Sequence, residues 1–228
     1  MSSPIFESMT TEHYADARKR MVDSQLRPNK VTDAGILAAM RNLPREAFVP
    51  ANASALAYSD EDIPLGNGRA MLEPMVLARL LQAAEPHGGQ QALVVAAGTG
   101  YGAAVLAMCG VRVVAVEEDD RLLSVARTAL AAHAPGVQVV QGKIADGAPS
   151  GGPYDIVVIE GAVPDVPASI VAQLRPDTGK LVAIVTGPGR TNRAVVGSVG
   201  SGGFKPMALF DCGTPVLPSL KPAPAFVF

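Results

Sequence analysis

Apolar residues change their spacing along this chain near residue 91. Upstream they recur at helical intervals. In T-E-H-Y-A-D-A-R-K-R-M-V-D-S-Q-L (residues 11–26), Tyr14, Ala17, Met21 and Leu26 fall on one side of an otherwise charged helix. R-P-N-K interrupts it. Thr32 or Asp33 can cap a second helix over residues 34–42, which turns Ile36, Leu37 and Met40 inward and stops at Pro44. A polar, turn-rich passage follows, A-Y-S-D-E-D-I-P-L-G-N-G-R-A (residues 57–70). Glu73-Pro74 then opens a third helix with Met75, Leu77, Leu80 and Leu81. Residues 1–70 hold no strand–helix alternation and read as a helical cap; residues 71–228 read as the sheet domain, the two packed as one unit.

From residue 91 onward, short β-branched runs alternate with helical stretches. Strands are predicted at 93–95, 111–116, 137–140, 155–159 and 181–185, with helices at 102–108, 121–133 and 168–174. That order predicts an α/β fold with a doubly wound, mostly parallel sheet. Two last apolar runs, 194–198 and 206–210, are joined by G-S-G-G-F-K and predict an antiparallel hairpin.

Composition narrows the classes. At 48% hydrophobic over 228 residues, the chain can build a core of its own. A net charge of −2 and a pI near 5.9 give no basic face for nucleic acid. No run approaches the ~18 apolar residues that span a membrane, and M-S-S-P-I-F-E-S-M-T lacks the basic and apolar regions of a signal peptide. Cys109 and Cys212 form no disulfide framework, so reduced thiols and a cytoplasmic location are expected.

Candidate chemistry sits in Q-A-L-V-V-A-A-G-T-G-Y-G-A-A-V-L-A-M (residues 91–108). A buried strand meets a turn containing Gly98, Gly100 and Gly102, then an alanine-rich helix. Glycine there lets the chain turn tightly and lets a ligand touch the backbone. G-T-G-Y-G-A also satisfies a dinucleotide turn, and a glycine turn can be purely structural. The next strand ends in Val116-Glu117-Glu118-Asp119. A carboxylate in that place can accept hydrogen bonds from two ribose hydroxyls of NAD or of S-adenosylmethionine; the same run can instead cap the next helix. Asp119 and Asp120 suit the capping role, leaving Glu117 for the ribose. The helical cap ahead of the turn, the terminal hairpin and the absence of a second mononucleotide-binding half favour S-adenosylmethionine, and with it the methyltransferase type of doubly wound sheet. His13, His87 and His133 read as surface or helix-end residues.

With these residues in place, the chain resembles the protein-L-isoaspartate O-methyltransferases. The resemblance runs through M-V-D-S-Q-L and V-T-D-A-G-I-L-A-A-M-R-N-L-P-R-E-A-F-V-P (within residues 21–50), A-Y-S-D-E-D-I-P-L-G-N-G-R (57–69), P-M-V-L-A-R-L-L (74–81), G-T-G-Y with A-A-V-L-A, and P-Y-D-I-V-V-I-E-G-A-V-P-D-V-P (153–167). It implies methyl transfer from S-adenosylmethionine to the α-carboxylate of isoaspartyl residues in damaged proteins. It also implies a cofactor site at Met71, Ala96, Gly98, Gly100, Tyr101, Glu117, Glu118, Gly142, Lys143 and Glu160. An acceptor site would lie at Leu72, Glu73 and the loop Gly161, Ala162 and Val163. No catalytic side chain is assigned: an ionised carboxylate and a sulfonium leaving group need alignment and dryness more than acid or base.

Four positions depart from the family pattern. Val94 and Ala96 stand where it has an acidic residue, which organises the methionine end of the cofactor, and a first glycine. Leu72 stands at a serine whose hydroxyl points at the transfer site. Lys143 stands at an aspartate that meets the adenine amino group. A second expectation follows from these, a paralogue that keeps the fold as a binding or scaffold protein or methylates another acceptor. Glu160 adds a carboxylate beside the acceptor site, readable also as a solvated loop residue.

Overall fold

A computed structural model of the chain describes residues 11–187 and 192–221. Helix α1 (Thr11–Arg20) widens into a π-helical turn at Met21–Leu26, which buries Met21, Val22 and Leu26. Helix α2 (Ala34–Asn42) is capped by Asp33, whose carboxylate accepts the Ile36 N–H at 2.8 Å. The apolar faces of both pack into the core that also takes helix α3 (Pro74–Ala83).

The passage read as turns contains a two-stranded antiparallel hairpin, β1 (Ile63–Gly66) and β2 (Arg69–Met71). A boundary between residues 70 and 71 therefore falls inside a strand. Leu65 and Arg69 point down from this hairpin and are buried.

The main sheet comprises β3 (Gln91–Val95), β4 (Arg112–Glu117), β5 (Gln138–Gln141), β6 (Ile156–Val163), β7 (Lys180–Thr186), β8 (Asn192–Gly200) and β9 (Gly203–Cys212). Its order is β5-β4-β3-β6-β7-β8-β9. The first five are mutually parallel, β8 runs antiparallel to β7, and β9 antiparallel to β8. Helices α4 (Tyr101–Met108), α5 (Asp120–His133) and the short α6 (Ala168–Val171) make the crossovers. Near-continuous apolar strands such as L-V-V and I-V-V-I are buried on both faces, as a parallel sheet requires. Alternation sends Ala92, Val94, Ile156, Val158 and Ala162 to the face shared with the helical cap; Leu93, Val95, Val157 and Ile159 go to the other face.

Strand β6 is longer than its predicted span. Glu160, Gly161, Ala162 and Val163, expected in a loop, are its buried last residues. The segment after β9 covers them: the Ala162 N–H donates to the Pro215 carbonyl at 3.1 Å, and the Leu217 N–H to the Ala162 carbonyl at 2.8 Å. Among the described residues, no helix is long and apolar enough to cross a membrane.

Candidate active site

The strand order reverses at β3, which pairs with β4 on one side and β6 on the other, and a ligand crevice belongs at the carboxyl ends between β3 and β6. Strand β3 ends in Val95 and turns through Ala96, Ala97, Gly98 and Thr99 into α4. Gly98 and Gly100 take φ of 57° and 91°, the left-handed region where a side chain is penalised. Ala96 sits at φ 57° with its Cβ in place, so the family's glycine backbone persists without the glycine. That conformation costs an alanine about 1–2 kcal/mol.

Glu117 closes β4, fully buried, and its carboxylate is crowded with donors. Oε1 accepts from Arg69 Nη1 (2.8 Å), the Glu118 N–H (2.9 Å) and the Asp119 N–H (3.0 Å). Oε2 accepts from Arg69 Nη2 (2.8 Å) and the Gly98 N–H (2.7 Å). Arg69 Nη2 also reaches the Ala96 carbonyl at 3.0 Å. A carboxylate offers about four lone-pair sites, so Glu117 is saturated. The residue expected to meet ribose hydroxyls is held instead by a buried bidentate arginine from β2, with side chains only 5% and 1% exposed. The hairpin tip is tied down too: Asn67 Nδ2 donates to Asp119 Oδ2 at 3.1 Å. Asp119 caps α5 as expected, accepting the Arg121 and Leu122 N–H groups.

Beside the glycine turn, Met71, Leu72, Ala96, Gly98, Tyr101 and Glu160 meet around one cavity of ≈ 10 Å³, with Leu65, Leu77 and Thr99. That is room for about one water. Leu72, at the family's serine position, is buried and apolar. Tyr101 opens α4, but its ring turns toward the cap, edge-on to Phe48 at 5.4 Å and under the Arg45 guanidinium at 4.9 Å. Arg45 is wholly buried and donates to the Ala57 and Leu72 carbonyls, both at 2.7 Å, which pins the far end of β2. Burial lowers its pKa.

Other expected site residues lie apart from this cavity. Glu118 Oε2 accepts the Ile144 N–H at 3.2 Å, and Gly142 donates to the Glu117 carbonyl at 3.1 Å, so both border the adjacent strand end. Lys143 is exposed in the turn after β5. Glu73 precedes α3, its N–H on Asp62 Oδ1 at 2.7 Å; burial, then Asp60, Asp62 and Glu61, raise its carboxyl pKa. Gly161 lies against the Leu217 side chain, and Ala162 and Val163 are buried. Arg69 and Arg45 were not anticipated. The one available signal was Glu117 itself: a carboxylate ending a buried apolar strand needs a cation or several donors.

Glu117 and the left-handed turn fit the ribose end of an S-adenosyl ligand. The hairpin stands where the rest of it must go, since ligand pockets run to ~300–1,000 Å³. The cavity of ≈ 10 Å³ beside the turn, lined by Leu65, Ala70 and Met71 of the hairpin, is far smaller than that.

A glycine turn after the first strand, a carboxylate closing the second and an antiparallel hairpin at the far edge define an S-adenosylmethionine-dependent methyltransferase fold. The family model for protein-L-isoaspartate(D-aspartate) O-methyltransferase matches residues 16–199, and the chain belongs to that family. It is 41% identical over 172 residues to protein-L-isoaspartate O-methyltransferase 1 of Rhodopseudomonas palustris (strain HaA2), covering 75% of this chain and 69% of the relative. It is also 41% identical over 175 residues to the protein-L-isoaspartate O-methyltransferase of Methylorubrum extorquens (strain PA1), covering 77% and 76%. Two solved structures share the fold. A protein-L-isoaspartate O-methyltransferase superposes with a TM-score of 0.76 at 21% identity, covering 89% of this chain and 67% of the other. A Plasmodium falciparum protein described under the same activity, in complex with S-adenosyl-L-homocysteine, gives 0.74 at 17% identity, covering 90% and 98%.

Proposed function

We propose that this chain is an S-adenosylmethionine-dependent carboxyl methyltransferase acting on isoaspartyl residues of damaged proteins. The observation that carries the reading is Glu117: a buried carboxylate at the end of β4, ringed by the N–H groups of Gly98, Glu118 and Asp119. That ring aims it beside the glycine turn, where a ribose diol can replace the two Arg69 contacts. Glu118 and the turn at Gly142 and Lys143 would border the adenine, and Met71 and Leu72 the transfer site.

When bound, the cofactor supplies a methyl group on a sulfonium, which departs as a neutral thioether. The acceptor carboxylate is already ionised at neutral pH, so no residue has to remove a proton. The chain's work is alignment and exclusion of water. Leu65, Met71 and Leu72 supply an apolar wall, and Glu73 and Asp62 stand near its mouth. The methyl ester can cyclise to a succinimide and reopen to normal aspartate. A cytoplasmic setting suits the two free, half-buried thiols, Cys109 and Cys212.

Radiolabelled methyl transfer tests the reading. Label should pass to a peptide containing isoaspartate and not to the same peptide with aspartate. The saturated Glu117 and the nearly filled cavity favour one competing reading, a paralogue that keeps the fold without transfer. Absence of transfer together with absence of S-adenosylhomocysteine binding would select it.

A further inference from the structure

Glu160 is the one ionisable side chain lining the cavity at the glycine turn apart from Tyr101. It is 8% exposed, and its Oε1 has no hydrogen-bond partner. A buried, unsatisfied carboxylate is costly, and an ordinary structural role would have supplied it a donor. Its place is informative. Val94 pairs in register with Val158, and Glu160 follows two residues on in β6, within the stretch between Val158 and Ala162 where the pairing with β7 shifts register. Its carboxylate comes from the strand beside Val94 and lines one cavity with Leu77, Ala96 and Gly98. It also lies under the first turn of α4: a Cβ built on Gly102 would come within 2.0 Å of Glu160 Oε1. Only a glycine at 102 leaves space for it.

The groups around Glu160 do not neutralise it. Arg45 and Arg69 act on it electrostatically from the cap and the hairpin; each keeps one N–H unpartnered, Arg45 Nη1 and Arg69 Nε, yet their hydrogen bonds run to two carbonyls and to Glu117 and none reaches Glu160. Glu117 is a like charge, and the Tyr101 hydroxyl is itself without a partner. What Oε1 lacks is an N–H donor within hydrogen-bond reach. The S-adenosyl ligand of the proposed function carries two positive centres. A sulfonium has no donor; an α-ammonium has three.

We propose that Glu160 is the counter-anion for the α-ammonium group of the bound S-adenosyl ligand, taking from β6 the place of the carboxylate that Val94 lacks. The assignment rests on the methyltransferase reading and adds the residue that anchors the amino-acid end. Before ligand entry, burial pushes the Glu160 carboxyl up to about 8, against the pull of Arg69 and Arg45 and with the push of Glu117. At pH 7 the side chain is then mostly protonated. Docking of the ammonium makes the carboxylate the favoured form, and its proton passes to the buffer.

Calorimetric titration with S-adenosylhomocysteine, repeated in buffers of different ionisation enthalpy, counts that proton. At pH 7 the wild-type protein should release roughly 0.9 proton per ligand, the protonated fraction of an acid titrating one unit above the working pH. At pH 9.5 the release should fall close to zero. 5′-Methylthioadenosine, which lacks the ammonium, should bind without releasing a proton. Glu160→Gln should abolish the release and weaken S-adenosylhomocysteine at least tenfold, leaving 5′-methylthioadenosine affinity unchanged. Wild-type binding without proton release, or equal affinity in Glu160→Gln, overturns the role of Glu160 while the methyltransferase reading stands. No binding of either ligand to the wild-type protein overturns both.

Discussion

Arg69→Gln removes a guanidinium that does two opposed things. In the ligand-free protein it satisfies Glu117 through two bonds of 2.8 Å inside an ion pair almost sealed from solvent. Removing one partner of a buried pair costs about 3–5 kcal/mol. The lower end applies, because the Gly98, Glu118 and Asp119 N–H groups continue to hold the carboxylate. For a chain of this length about 1 kcal/mol shifts Tm by 2–4 °C, so the variant should melt roughly 6–12 °C below wild type by scanning calorimetry. The same two bonds must be surrendered when ribose hydroxyls approach. Charge-assisted bonds are worth about 1.5–3 kcal/mol each, and the hydroxyls return only part of that. A residual penalty of about 1.4–2.8 kcal/mol, lifted in Arg69→Gln, should tighten S-adenosylhomocysteine binding by roughly 10- to 100-fold. Loss of stability with gain of affinity is the signature. Unchanged Tm with equal or weaker binding would refute the view that Arg69 occupies the ribose carboxylate.

Further predictions concern single positions. Burial raises the Glu160 pKa from its ordinary 4.5 to about 8 in the folded protein; the folded state holds more protons, so its contribution to stability is full below the lower value and lost as pH rises to the upper one. The Tm of Glu160→Gln should therefore climb relative to wild type from pH 5 to pH 9, and a pH-independent difference would contradict this. Ala96→Gly relieves the left-handed alanine at the turn; after the greater unfolded-state freedom of glycine is subtracted, Tm should rise by about 0–3 °C, and a clear fall would argue against strain there. Gly102→Ala drives a methyl into Glu160 Oε1 and should cost about 1–3 kcal/mol. Adding Glu160→Ala should recover part of that loss in a double-mutant cycle, whereas strictly additive effects would separate the two residues.

The sheet was readable because β3, β4, β6 and β7 are buried on both faces, leaving near-continuous apolar runs in the sequence. Asp33, the Glu73-Pro74 helix start, the terminal hairpin and Glu117 at the end of β4 were legible for local reasons: capping chemistry, proline geometry and strand length. The hairpin β1–β2 was not, since Pro64, Gly66, Asn67 and Gly68 crowd turn chemistry into five residues and leave no alternating run. Gly161, with Glu160 before it, gave the end of β6 the look of a loop; pairing of Ala162 and Val163 with Ile184 and Val185 of β7, and the covering segment at Pro215 and Leu217, make it a strand. Arginines resist reading from sequence because most are solvated. Arg45 and Arg69 become buried through partners 12 to 48 residues away, a pairing no local window contains.

The most direct measurement is a crystal structure of the protein with S-adenosylhomocysteine. The ribose diol should sit on the Glu117 carboxylate, with Arg69 and the β1–β2 hairpin displaced and the ligand amino group on Glu160. Crystals grown at millimolar ligand that retain the closed Arg69–Glu117 pair and an unliganded glycine turn would contradict a cofactor site that opens there.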